Sequence, residues 1–140
     1  MILLDTNVLI DAQNETSPFF EWSTKVVSEA VTASGAAINA VIMAELCAGK
    51  ETIGELLERE LHQAGIQLLD LPLKAAATCG IAYRKYRSAR SKSAGGFASP
   101  TPLPDFFIGA HAELMGWKLA TRDSERFQLY FPTVQLIQPT

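Results

Sequence analysis

Cysteine is scarce: Cys47 and Cys79 are the only two in 140 residues. At most one disulfide can form, and a chain of this size buries enough surface to fold without it. Both read as ordinary buried thiols of a protein in the reducing cytoplasm. Histidine is equally scarce, with His62 and His111 alone, and no Cys or His pair has the short spacing of a structural zinc site. Long apolar runs are missing too. None approaches the roughly 18 residues needed to span a bilayer, and the apolar start Met1 to Leu4 has no basic flank before it meets Asp5, which speaks against a signal peptide and a membrane location. With 48% hydrophobic and 19% charged residues, general disorder is excluded. The length suits one domain, residues 1–140.

Acid is absent from one long stretch. Between Leu71 and Pro104 there is no Asp or Glu, while Lys74, Arg84, Lys85, Arg87, Arg90 and Lys92 supply six positive charges. The net charge of the whole is −3, so everything outside that stretch carries −9. The asymmetry fits a surface that meets an anion and a separate place where carboxylates gather, although a solvated helix face explains the basic residues equally well. Of these, Arg84, Lys85, Arg87 and Arg90 are the candidate nucleic-acid contacts.

Apolar periodicity alternates between strand and helix. Ile2 to Leu4 reads as a buried strand turning into a helix at Thr6-Asn7-Val8-Leu9-Ile10. Ser17 and Pro18 cap a helix carrying Phe19, Trp22, Val26, Ala30 and Val31 to a stop at Gly35. Ala36 to Ile38 makes a second strand, and Asn39 caps a helix running to Gly49. A further helix presents Ile53, Leu56, Leu57 and Leu61 as a buried stripe and stops at Gly65. Ile66 to Leu69 is a third strand. A helix from Leu73 to about Arg90 follows, with Ala76, Cys79, Ala82, Tyr83 and Tyr86 inward, then a Ser/Gly/Pro-rich loop over Ser91 to Pro104. Pro104 and Asp105 open a helix that ends at Gly116 and whose small residues permit close packing. Trp117 to Thr121 and Val134 to Ile137 complete the strands, with Phe127 as an anchor between them. This predicts a three-layer α/β/α domain around a mainly parallel sheet of four or five strands.

Four acids sit badly in such a plan as mere surface. Asp5 ends an apolar strand, Glu45 lies among Ile42, Met43, Ala44 and Leu46, Asp105 lies between Pro104 and Phe106, and Asp123 follows a strand. In a parallel sheet the carboxyl ends of the strands converge on one edge, where ligands bind. Four acids at one edge repel one another, and the sequence offers most of them no neighbouring base. A divalent cation resolves the conflict. Oxygen donors without His or Cys favour Mg²⁺ or Mn²⁺ over zinc, and Thr6, Asn7 and Thr121 are placed to orient the carboxylates. Singly, each acid has a structural alternative: Asp105 as a helix cap, Asp123 as a turn residue, Glu45 facing solvent. Asp5, in a polar Asp-Thr-Asn run between apolar triplets, is the hardest to explain that way. His111 falls on another face of its helix from Asp105 and reads as structural.

Four segments in order carry a resemblance. Ile2-Leu3-Leu4-Asp5-Thr6-Asn7-Val8-Leu9-Ile10-Asp11, Glu45-Leu46-Cys47-Ala48-Gly49, Pro104-Asp105-Phe106-Phe107-Ile108-Gly109-Ala110-His111-Ala112 and Leu119-Ala120-Thr121-Arg122-Asp123 with Phe127 are similar to the PIN-domain ribonucleases. Within them the chain most resembles the VapC toxins of type II toxin-antitoxin systems. The resemblance covers nearly the whole chain. It implies a Mg²⁺- or Mn²⁺-dependent endoribonuclease acting on RNA, a homodimer, and a cognate antitoxin that wraps the toxin. Asp5, Glu45 and Asp105 match the three regular acids of the family, Asp123 a more variable fourth, and Thr6, Asn7 and Thr121 the supporting polar positions. Together with Phe19, Phe20 and Trp22, clustered at one helix start, it also suggests an apolar groove for the antitoxin. The loop before Asp105 looks longer than usual for the family.

Neutralising the four acids would shift the net charge from −3 to +1, so that the remainder no longer repels RNA. A phosphatase or receiver domain also places an acid after its first strand, but Asn7 stands where a phosphatase needs its second Asp. The stronger competitor is a catalytically inactive PIN-like protein-interaction module.

Overall fold

Five strands, β1 (Ile2–Leu4), β2 (Ala36–Asn39), β3 (Ile66–Leu69), β4 (Lys118–Ala120) and β5 (Leu136–Ile137), form one sheet in the order β3-β2-β1-β4-β5. Every neighbouring pair is parallel. The computed structural model describes residues 1–49, 53–93 and 103–140, the side chains of 91–93 excepted. Of the loop expected over Ser91 to Pro104, residues 94–102 lie outside the described residues.

Parallel neighbours need crossovers, and helices supply them. Between β1 and β2 run α1 (Thr6–Ala12), α2 (Phe20–Glu29) and a π-helical turn at Ala30–Ser34. Between β2 and β3 lie α3 (Ala40–Gly49) and α4 (Gly54–Gln63). The segments α5 (Lys74–Ser93) and α6 (Leu103–Met115) precede β4, and α7 (Glu125–Tyr130) precedes β5. All residues of β1 and β2 are buried. Because successive side chains of a strand point to opposite faces, both faces of the central strands are covered, and the arrangement is the expected three-layer α/β/α sandwich. No described helix is long and apolar enough to cross a membrane. Cys79 is buried, which pushes its thiol pKa up, whereas Cys47 is only half-buried; both are free.

Several boundaries differ from the expectation for identifiable reasons. Ser17 does not cap α2: its Oγ accepts from Phe19 N at 3.1 Å and donates to Asp11 at 3.0 Å, and the helix begins only at Phe20. β2 extends through Asn39, which pairs with Leu69 and still caps α3 by accepting from Ile42 N at 3.0 Å. β5 is shorter because Val134 N is taken by a turn bond to Phe131 O. In α4 only Leu57 and Leu61 are buried; Ile53 precedes the helix and is 68% exposed, and Leu56 is exposed as well. On α5 the buried alanine is Ala75, not Ala76, since the inward row is Ala75, Cys79, Ala82 and Tyr86, spaced by three and four residues. Gly35 and Gly65 do end their helical segments, both at φ +85°, a conformation that costs a side-chain-bearing residue.

An aromatic cluster fixes α5, α6 and α7 together. Phe106 on α6 lies 5.3 to 5.7 Å, centroid to centroid, from Tyr83, Tyr86, Tyr130 and Phe131. Gly109, one turn on along α6, permits that approach: a Cβ there would lie 2.4 Å from the Phe131 ring. Gly109→Ala is therefore expected to destabilise the protein by about 2 kcal/mol through overpacking, despite alanine's better helix propensity. Denaturant unfolding measures it.

Candidate functional site

The strand order reverses between β1 and β4, the switch point where the crevice of an open parallel sheet forms at the carboxyl ends. Asp5 leaves β1 there, and Thr121 and Asp123 leave β4. Asp5 is 4% exposed and caps α1, accepting from Thr6 N at 2.8 Å. Its other oxygen accepts from Thr121 Oγ1 at 2.8 Å and from Asn7 Nδ2 at 3.2 Å. Thr121 Oγ1 in turn accepts from Asn7 Nδ2 at 3.3 Å and from Asp123 N at 3.1 Å. Glu45, half-buried on α3, accepts from Thr6 Oγ1 at 2.7 Å. Each supporting residue read from the sequence thus holds a carboxylate or another member of this network.

Electrostatics place the acids in one field. Burial pushes the pKa of Asp5 from 3.8 to about 6; the bonds from Thr121 and Thr6 oppose the rise, while the charges of Asp105 and Glu45 add to it. Asp105, on the first turn of α6, is also raised by burial and by Asp123, against the lowering effect of Arg126. The helix starts at Leu103 rather than at Pro104 and Asp105, so Asp105 is inside the first turn and is not its cap. Asp123 is exposed.

The sequence reading missed the basic partners. Arg126 Nη1, on α7, donates to Asp105 Oδ2 at 2.5 Å, and its guanidinium lies 5.9 Å from the centre of the Tyr86 ring. Arg122 Nε donates to the buried Asp11 at 2.6 Å and stacks over Phe19 at 5.2 Å. The one signal available was that Arg122 and Arg126 flank Asp123 closely in the chain. Beside the acids a groove of about 770 Å³ opens, lined among others by Tyr86, Arg90, Arg122, Asp123, Arg126 and Tyr130. Of the basic residues expected to meet nucleic acid, Arg90 borders this groove; Arg84, Lys85 and Arg87 are exposed on α5 and do not line it. Phe19, Phe20 and Trp22 are half-buried, and Trp22 packs against the core. His111 is structural, as expected: it is buried, hydrogen-bonded to Asn39 Nδ2 at 3.1 Å, packed 5.4 Å from Trp117, and its pKa is lowered by burial.

The donor chemistry fits a hard divalent cation, since the acids bring only oxygen and one of them is buried with a raised pKa. The side chains of Asp5, Glu45 and Asp105 are nonetheless turned to protein partners, and among the described residues no three His, Cys, Asp or Glu are arranged to hold an ion. Asp105 is engaged by Arg126, and Glu45 by Thr6.

Solved structures of the same fold agree with the architecture. The chain superposes on FitAcB from Neisseria gonorrhoeae with a TM-score of 0.67 and 23% identity, covering 99% of this chain and 98% of that one. VapBC-1 from nontypeable Haemophilus influenzae gives a TM-score of 0.67 and 21% identity, covering 99% and 98%. VapBC2 from Rickettsia felis, bound to a DNA fragment from its promoter, gives 0.63 and 20%, covering 100% of both chains. No curated protein matches the sequence significantly. The sequence itself matches the PIN domain family over residues 2–131, from the first strand to the turn after α7, and so takes in all four candidate acids: the chain belongs to the PIN domain family.

Proposed function

We propose that this protein is a Mg²⁺- or Mn²⁺-dependent endoribonuclease, the toxin of a toxin-antitoxin pair. What supports the reading is the network at the carboxyl ends of β1 and β4 that ties the buried Asp5 to Thr121 and Asn7 and joins Thr6 to Glu45, together with the charges of Asp105 and Glu45 felt at Asp5 and that of Asp123 felt at Asp105. PIN domains are generally nucleases, and the similarity of fold to the VapBC structures named above supports an antitoxin as partner. RNA as substrate and two free thiols fit the reducing cytoplasm. A homodimer is part of the proposal; light scattering tests it, and co-purification with the product of an adjacent small gene tests the antitoxin.

In this reading Asp5, Glu45 and Asp105 hold the cation, with Asp123 contributing at the rim. A bound divalent ion supplies Lewis acidity at the scissile phosphate and a more acidic water. Hydrogen bonds from Thr121 and Asn7 orient Asp5, the one from Thr121 opposing the rise in its pKa, and Thr6 orients Glu45. Arg90 and Arg122, at the groove, steer the phosphate backbone.

The competing reading is an inactive PIN-like interaction module, and the ion pair between Arg126 and Asp105 is what favours it. Incubation of single-stranded RNAs with the purified protein decides between them: cleavage that appears with Mg²⁺ or Mn²⁺ and vanishes with chelator supports the nuclease, and intact RNA under all conditions supports the module. Binding should also follow charge. Replacing Arg87 and Arg90 by Ala is expected to flatten the dependence of log affinity on log salt by roughly one unit per lost phosphate contact. An unchanged slope, read by fluorescence anisotropy in chelator, would leave this part of α5 as a solvated face.

A further inference from the structure

A guanidinium stands where the nuclease reading needs a metal ligand to be available. Arg126 donates to Asp105 Oδ2 at 2.5 Å, and neither side chain is deeply enclosed: they are 38% and 31% exposed. The Tyr86 ring and the aromatic cluster that binds α7 to α5 and α6 set where Arg126 can reach. Arg126 also lines the groove beside the acids, so releasing Asp105 would leave its charge facing solvent and would not strand it in the core.

We propose that Arg126 is a built-in, displaceable counter-ion of Asp105, which competes with the divalent cation for that carboxylate and so weakens cation binding. This rests on Asp105 being a metal ligand. Two observations separate a specific competitor from general positive charge. Arg126 bonds a member of the acid cluster directly, whereas Arg122, which lines the same groove, spends its Nε on Asp11 and its guanidinium face on Phe19. Asp11 lies outside the cluster. Both arginines line the groove, but only Arg126 must move for Asp105 to turn toward an ion. An ion pair this exposed is weak, so a cation can displace it.

The test is a calorimetric titration of the full chain with Mn²⁺ alone, comparing wild type, Arg126→Gln and Arg122→Gln, with Asp105→Asn as control. Arg126→Gln is expected to bind Mn²⁺ roughly three- to tenfold more tightly than wild type, the scale of removing a partly exposed ion pair. Arg122→Gln is expected to stay within about twofold, and Asp105→Asn to bind markedly more weakly. Circular dichroism confirms folding; if Arg126→Gln does not fold, Arg126→Met, which keeps a long apolar stem, takes its place with the same expectation. Unchanged affinity in the Arg126 variant, or an equal gain in the Arg122 variant, would overturn the proposal while leaving the metal site standing. If neither wild type nor the Arg126 variant binds Mn²⁺, the metal site itself fails and the counter-ion role with it.

Discussion

Asp105→Asn is expected to lower RNA cleavage by at least about 1000-fold, a loss of ~4 kcal/mol of transition-state stabilisation, while the fold persists. Asparagine keeps an oxygen that can accept from Arg126, and the start of α6 depends on Leu103, Pro104 and the burial of Phe106 rather than on an acid cap. What the substitution removes is the charge that a divalent cation requires. The thermal midpoint should therefore move by only a few degrees, with cleavage abolished. A pure preparation that cleaves like wild type would reduce Asp105 to a partner of Arg126.

The second large effect is on stability. Asp5 has its folded pKa raised from 3.8 to about 6 by burial, reinforced by Asp105 and Glu45. A raised carboxylate pKa favours the folded state when the group is protonated. That contribution is fully present below pH 3.8 and is lost as pH rises through about 6. Roughly two pKa units correspond to a loss on the order of 3 kcal/mol by neutral pH. Other groups titrate in the same range, so the informative quantity is the difference between wild type and Asp5→Asn, whose side chain stays neutral. In chelator, wild type should lose stability relative to the variant between pH 4 and 7, and at pH 7 the variant should melt about 3 to 8 °C higher. The gain is tempered because Thr121 Oγ1, which donates to Asp5 and already accepts from Asn7 and from Asp123 N, would face an amide. Excess Mn²⁺ should reverse the order, protecting wild type by about 4.1 kcal/mol at roughly a thousand times its dissociation constant and the variant far less. A variant destabilised in chelator yet equally protected by metal would make Asp5 a structural residue satisfied by its hydrogen bonds.

Local chemistry made much of this legible. The buried triplet Ile2 to Leu4 followed by Asp-Thr-Asn announces both β1 and the cap of α1, and Asp5 performs the two roles at once. The alternation of apolar runs with amphipathic stretches fixed the layer order, because parallel strands must be joined by helices. What escaped depends on distance in space. Arg126 meets Asp105 from 21 residues away, and only the packing of Phe106 against Tyr86 and Tyr130 brings α7 near enough. The shift from Ala76 to Ala75 on α5 has the same origin, since small residues mark a helix face poorly until a neighbour is packed on it. Ile53 and Leu56, before and within α4, satisfy the apolar pattern but lie at the margin of the layer, exposed among the described residues. The pairing of Asp11, 5% exposed, with Arg122 had no local signal, because the two lie 111 residues apart in the chain.

The most direct test of the metal-dependent site is anomalous diffraction from crystals of the full chain soaked in Mn²⁺. A peak is predicted in the crevice between Asp5, Glu45 and Asp105, with the carboxylate of Asp105 turned to it and Arg126 no longer on Asp105. Saturating Mn²⁺ with no peak at those carboxylates, and with the Arg126 to Asp105 pair intact, would contradict it.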